Sequence, residues 1–294
     1  MTIFDVPAVA LFGQLMLGLI NGAFYALLSL GLAIIFGLLK VINFAHGAQY
    51  MLGAFTALLL LQHLGIGYWT ALLLVPVLVG LLGVVLERFL LRPLAGESHL
   101  YSLLLTFGLA LIIQGLFTNL FGSSGISYPT PEVFRGALDL GFMHLPAYRA
   151  WVVVAALVVC FVAWLIIERT RLGAYLRAGT ENPRLMQAFG INIPFMVTMT
   201  YGFGVALAAF TGVLAAPLYS VSPGMGANLL ILVFAVVVIG GMGSIVGAVI
   251  TGLAMGLIEG LTKVFYPQAA TTVIFVVMVL VLLFKPTGLF AKEA

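Results

Sequence analysis

Residues 228–258 read NLLILVFAVVVIGGMGSIVGAVITGLAMGLI, 31 residues without one charged side chain. As a single straight helix the run would reach about 46 Å at 1.5 Å per residue. The hydrocarbon core of a bilayer is only about 30 Å thick. Backbone groups in lipid must be bonded within their own segment, so the run is read as membrane-embedded helix. Its excess length has an explanation in its middle, Gly240-Gly241-Met242-Gly243-Ser244. Glycines lower the cost of leaving helical geometry, and here they divide the run into pieces of about 12 and 14 residues. The pattern predicts a discontinuous or re-entrant hairpin entering from the outside.

The same criterion applied outward gives about eight membrane segments, near 10–37, 48–62, 68–86, 100–121, 150–167, 195–216, 228–258 and 271–285. The chain is 63% hydrophobic and 7% charged, where soluble domains carry about a quarter charged residues. The fold class expected is all-α and polytopic, a single transmembrane domain over 1–294, with discontinuous or re-entrant helices near 38–47 and 240–244. Barrel-type alternation is absent. The N-terminus MTIFDVPAVALF lacks a basic region and reads as an uncleaved first span. The first segment reaches about 42 Å and the second about 22 Å, the latter too short to span unaided.

Basic residues assign sides. Arg169, Arg171, Arg177 and Arg184 cluster in one loop, about 168–193, which is therefore cytoplasmic. Arg88 and Arg92 mark another loop two spans away, on the same side, and 122–149 falls outside. Lys285 and Lys292 place the C-terminus in the cytoplasm. That requires an even number of crossings between 193 and 285, and a broken 228–258 supplies it.

Polar residues inside a membrane are costly and usually functional. The first interruption, Lys40-Val41-Ile42-Asn43-Phe44-Ala45-His46-Gly47, follows a long helix and precedes a short one. Short, glycine-interrupted segments in corresponding halves point to internal repeats and a midplane site. Asn43 and His46 either contact a solute or satisfy the backbone freed by the break. Tyr50, one turn beyond His46, lines the same cavity or packs, and Lys40 snorkels to an interface. Gly240, Gly241, Gly243 and Ser244 carry the same two readings: backbone groups free for a solute, or small residues that let helices approach. Gly252, Gly256 and Gly260 at four-residue spacing read as close packing. Glu259 and Lys263 (i, i+4) read as a surface ion pair at a helix end. Gln14, Asn21, Gln114 and Asn119 read as interhelical hydrogen-bonding residues.

Catalysis and metal binding find no motif. There is no H-E-x-x-H, no G-x-S-x-G and no carboxylate pair within a span. His46, His63, His99 and His144 lack ligand spacing, and Cys160, alone, reads as a small core or lipid-facing residue. A net charge of +3 without a basic tract excludes nucleic acid as a partner. No Gly-Lys dipeptide occurs, so no phosphate-binding loop exists, and ATP-driven transport would need a separate ATPase.

The loop RTRLGAYLRAGTENPRLMQAFG (169–190) is the most legible stretch. Asn182-Pro183 is an N-cap followed by proline in the first turn, and Gly190 is a C-terminal stop. Between them the spacing predicts a helix of about seven residues with Leu185, Met186 and Phe189 on one face. An isolated helix that short is unstable in water. Its apolar face, flanked by Glu181 and Arg184, docks either on the chain's own cytoplasmic side or in a partner's groove.

Three stretches resemble the permease subunit of bacterial branched-chain amino acid ABC importers: GAFYALLSLGLAIIFGLLKVINFAHGAQYMLGAF (22–55), RTRLGAYLRAGTENPRLMQAFGIN (169–192) and VVVIGGMGSIVGAVITG (236–252), with LLFKPTGLF (282–290). The resemblance implies a multi-pass protein of the bacterial cytoplasmic (inner) membrane. It implies, as partners, a second permease subunit, similar or identical, two cytoplasmic ATPase subunits and an extracytoplasmic solute-binding protein. ATP and magnesium would sit on the ATPases, and this chain would bind no cofactor. In that picture 181–190 is similar to the coupling helix seated in an ATPase groove, and solute passes near 43–47 and 240–244 by alternating access. Some members carry an acidic residue where this chain has Ala48, and relatives import urea or short amides, so such solutes stand as the alternative. A self-sufficient channel or secondary transporter is the competing class.

Overall fold

Long apolar runs become helices between positive-φ turns in the computed structural model, which describes residues 2–3, 6–40, 42–94, 96–141 and 143–291. Eleven α-helices occur among the described residues: α1 (Ala8–Leu39), α2 (His46–Leu64), α3 (Tyr68–Leu86), α4 (His99–Phe121), α5 (Ala147–Arg169), α6 (Arg171–Glu181), α7 (Pro183–Ala188), α8 (Ile193–Ala215), α9 (Met225–Gly240), α10 (Ile245–Phe265) and α11 (Thr272–Phe284). Among the described residues six helical stretches are long and apolar enough to cross a membrane, and α9 and α11 are shorter apolar helices. Among the described residues strand is confined to two short antiparallel pairs. These are β1 (Thr2–Ile3) with β2 (Val6–Pro7), and β3 (Ala137–Asp139) with β4 (His144–Pro146).

The surface is that of a protein whose solvent is lipid. On α4 the buried residues are Ser102 and Thr106, while Leu100, Leu104, Phe107, Leu111, Ile112 and Leu116 are exposed. Soluble helices bury their apolar stripe, and α4 inverts that rule. Apolar side chains are likewise exposed along α3, α5 and α11. This is a polytopic helical membrane protein.

The chain divides into two compact units, 1–29 with 129–160 and 231–294, and 30–128 with 161–230, so that three of the four divisions fall inside α1, α5 and α9 and the fourth between α4 and α5. In the first unit α1 crosses α10 through glycine. A Cβ on Gly18 would meet the Gly256 carbonyl oxygen at 2.5 Å, one on Gly252 the Ala26 nitrogen at 2.5 Å, and one on Gly260 the Gln14 oxygen at 2.5 Å. The predicted glycine packing at 252, 256 and 260 is therefore present, with α1 as its partner. In the second unit α2 is crossed by α8 and the start of α9. A Cβ on Gly47 would meet the Gly226 oxygen at 2.5 Å, and Gly53 and Gly212 face the Ala209 and Tyr50 backbones without room for a side chain.

Three expectations need correction. The second segment is not a 15-residue stub: α2 has 19 residues, about 28 Å, because buried His46 and Gly47 start the helix and His63 and Leu64 end it. The 169–190 loop is mostly helical, since α6 precedes the short helix. Gly173 and Gly179 lower its propensity, but Gly173 packs where only glycine fits, against the Ile167 carbonyl. Arg177 Nη1 donates to the Ile167 carbonyl (3.1 Å) and to Glu168 (3.2 Å), tying α6 to the end of α5. Glu259 is buried, not at the surface: it accepts from Tyr25 Oη (2.6 Å) and pairs with Lys263 (2.5 Å). The apolar run 68–86 is α3 as expected, and helix continues beyond it as a π-helical stretch, Glu87–Leu91. Val41 and Lys292 lie outside the described residues.

Candidate functional site

The two predicted interruptions are both present, between Leu39 and His46 and between Gly240 and Ile245. They lie in different units, and each is built in its own way.

At the first, the chain turns at Lys40, whose φ of 52° is left-handed, and re-enters helix at His46. Asn43 makes the turn. Its Oδ1 accepts from the Ala45 N–H (3.1 Å), and its backbone carbonyl accepts from the His46 N–H (3.2 Å). Asn43 Nδ2 donates to Gln49 Oε1 (3.0 Å), and Gln49 Nε2 donates to the Tyr201 hydroxyl (3.1 Å). Thr106 on α4 accepts from the Phe44 N–H (3.2 Å). Asn43, His46, Gln49 and Tyr201 are each at most 1% exposed. A buried chain of this kind rigidifies when every member is satisfied and is costly when one is lost. His46 lies beside Gly31, where a Cβ would come within 3.0 Å of the imidazole. Gly47 serves the close approach to Gly226, and Tyr50 is buried in the α2–α8 crossing.

At the second, Gly241 and Gly243 have φ of 98° and 88°, a region that L side chains adopt at a cost. The Ile239 and Gly240 carbonyls, orphaned by the end of α9, accept from the Leu289 (2.8 Å) and Phe290 (3.1 Å) N–H groups. Ser244 caps α10 by accepting from the Gly247 N–H (3.1 Å).

On α7 the expected caps are formed. Asn182 Oδ1 accepts from the Leu185 N–H (3.0 Å). At the other end Gly190 (φ 79°) donates to the Gln187 carbonyl and Ile191 donates to that of Met186, the paired bonds of a Schellman stop. Leu185 and Phe189 are 52% and 74% exposed, Met186 is half-buried, and Glu181 and Arg184 are exposed.

Sequence reasoning passed over Gln49, Thr106, Tyr201, Glu87 and Thr198. Gln49 was legible as an amide at the start of an apolar segment, beside a break. Glu87 stands beside Arg88 at the end of an apolar run, where a charge is ordinary and carries no signal of its own. Among the described residues no group of three His, Cys, Asp or Glu side chains is placed to hold a metal ion.

Long apolar helices, glycine-mediated crossings and polar groups gathered at helix interruptions define a membrane-spanning transport subunit. The chain belongs to the family of branched-chain amino acid transport system permease components, subunits of ABC transporters, whose pattern it matches over residues 14–283. It is 34% identical over 292 residues to the high-affinity branched-chain amino acid transport system permease protein BraD of Pseudomonas aeruginosa, covering 95% of each chain. It is 30% identical over 296 residues to LivH, so described, of Escherichia coli K12, again covering 95% of each. To the LivM permease protein of the same organism it is 27% identical, over 90% of this chain and 67% of that one. Among solved structures it is similar to PsaBC from Streptococcus pneumoniae in complex with Fab, at 13% identity and a TM-score of 0.48, covering 91% of this chain and 89% of that one.

Proposed function

We propose that the chain is the membrane-spanning subunit of a binding-protein-dependent importer that moves branched-chain or related amino acids by alternating access. Its partners are a second permease subunit, two cytoplasmic ATPase subunits that hold ATP and magnesium, and an extracytoplasmic solute-binding protein. Its place is the bacterial inner membrane, with the C-terminus in the cytoplasm. Among the described residues four α-helices follow residue 192 (α8 to α11), an even number, which supports that sidedness together with the arginines of the α5–α8 connection.

The observation that carries the reading is α7. A six-residue helix is far below the length that is stable alone in water, yet it is capped at both ends and keeps Leu185 and Phe189 in the open. A groove on an ATPase would cover that face, with Glu181 and Arg184 at its edge. Its C-terminal stop leads through Asn192, which caps α8 by accepting from the Phe195 N–H (3.1 Å). Displacement of α7 is thereby delivered to a spanning helix, which shifts the population between inward- and outward-open states.

The solute path runs along the first interruption, near Asn43, His46, Gly47 and Tyr50. At the second the contribution is narrower, because residues 289–290 already occupy the Ile239 and Gly240 carbonyls. The groups that remain for a solute lie from Gly241 through Gly243 to Ser244.

Phe189→Asp tests the reading. The assembled importer in proteoliposomes should lose ATP-driven, binding-protein-dependent uptake of leucine while its subunits still co-purify. Unchanged uptake would overturn the role of α7. Flux through this chain reconstituted alone, without ATP or partners, would overturn the subunit reading in favour of a channel or secondary transporter.

A further inference from the structure

The polar groups of the second unit continue past the first interruption to a carboxylate with no ion-pair partner among the described residues. Glu87 opens the π-helical stretch that extends α3, and π turns are rare and concentrate at functional sites. The residue is 2% exposed. Among the described residues it makes no ion pair, and its one hydrogen bond comes from the Thr198 hydroxyl (2.5 Å). That hydroxyl also lies 2.9 Å from the Pro194 carbonyl, and its single proton cannot serve both acceptors. An ionised carboxylate offers about four acceptor sites, and buried charges are ordinarily paired and hydrogen-bonded. Among the described residues Glu87 therefore has one shared donor and no ion-pair partner.

The same residue borders a cavity of about 300 Å³, at the lower end of the ligand-pocket range of about 300–1,000 Å³. Ile35, Ile193 and Val197 give it an apolar wall, and the exposed Arg92 lines it as well.

We propose that this cavity is a station on the solute path, at which Glu87 holds the ammonium group of an aliphatic amino acid and Ile35, Ile193 and Val197 contact its side chain. The assignment rests on the reading of the chain as an amino-acid permease. An ammonium brings three N–H donors and one positive charge, the two things a carboxylate so placed calls for. Arg92, on a wall it shares with Glu97 and His99, is the cation that would meet the solute's carboxylate. Urea or a short amide would supply donors but no charge and leave the carboxylate uncompensated, so the station discriminates against the neutral class. It is also wired to the energy input. Gln187 of α7 and Pro194 in the first turn of α8 border the cavity, and Thr198, one turn further, is the residue that bonds Glu87. A shift of α7 moves both the wall and the carboxylate's partner.

The test is equilibrium binding of labelled leucine to the purified permease–ATPase complex without binding protein, with 4-methylpentanoate, leucine lacking its amine, as competitor. Wild type should bind leucine and ignore the deaminated acid. Glu87→Gln keeps the shape and the acceptor for Thr198, so it should melt like wild type yet bind leucine about tenfold or more weakly and lose the discrimination, as loss of a charge-assisted contact implies. Val197→Trp, which fills the cavity and leaves Glu87 in place, should abolish binding. Leucine binding unaltered in both variants, or absent from wild type, overturns the station. Uptake separates this from the parent reading: wild-type import of leucine with an unaltered KM in Glu87→Gln overturns the station alone. No import of any branched-chain amino acid by the wild-type importer overturns the permease assignment itself.

Discussion

The two interruptions solve one problem, the backbone groups that a broken helix leaves bare in lipid, with opposite means. Between α1 and α2 the solution is made of side chains: Asn43, Gln49, Thr106 and Tyr201 hand hydrogen bonds from one helix to the next. Between α9 and α10 it is made of backbone: two left-handed glycines turn the chain, and a segment fifty residues downstream (239 to 289) closes the open carbonyls. The side-chain solution depends on residue chemistry and tolerates backbone variation. The backbone solution depends on the absence of side chains and is nearly blind to chemistry. Tolerance to substitution should therefore differ in kind between the two sites.

Substitutions can break that comparison in order of expected effect. Gly241→Val should be the most damaging. It forces a branched residue to φ 98° and brings a Cβ to 2.8 Å from the Ala291 nitrogen, a combined cost of roughly 2–5 kcal/mol from the disfavoured conformation and the rigid clash. The expected outcome is a sharply lowered midpoint in a detergent thermal melt, where an equal loss for Gly240→Ala and Gly241→Val would deny φ a special role. Gln49→Leu comes next, about 1–3 kcal/mol, because it keeps the volume and strands the Asn43 amide and the Tyr201 hydroxyl. Measured with Asn43→Ala as a double-mutant cycle, the pair should show a coupling of roughly 0.5–3 kcal/mol, and strict additivity would mean that the chain of amides does not act as a unit. Ser244→Ala should be smallest, about 1 kcal/mol, the ordinary value of one N-cap. A Ser244→Ala loss as large as that of Gln49→Leu would erase the distinction between the sites.

The legible part of the molecule follows the same line. Helix positions and the break at 240–244 could be read because lipid imposes a length limit and glycine marks the exception. The caps of α7 could be read because Asn182-Pro183 and Gly190 act locally. What escaped depends on which neighbour is across the way. Gly173 looks like a helix breaker until the Ile167 carbonyl is seen to leave no room for anything larger. Glu259 looks like half of a surface pair until Tyr25, 234 residues away, is found donating to it. Glu87 looks like the end of a span until Thr198 is found as its one hydrogen-bond donor among the described residues. The polar groups at the first interruption were half-visible: Asn43 and His46 stand in the turn itself, but their continuation through Gln49 to Tyr201 needs α8.

The closure of the second interruption also sets an order of events in the making of the protein. The Ile239 and Gly240 carbonyls are synthesised fifty residues before Leu289 and Phe290 exist to receive them. At about 5–20 residues per second of translation, the joint stays open for roughly 3–10 s. During that interval α10 and α11 must be threaded into the bilayer while two acceptors upstream have no donor, a state that lipid penalises. The turn at 285–290 acts as a latch on work done earlier, and a nascent chain halted before residue 289 would hold α10 and α11 without the joint that fixes them.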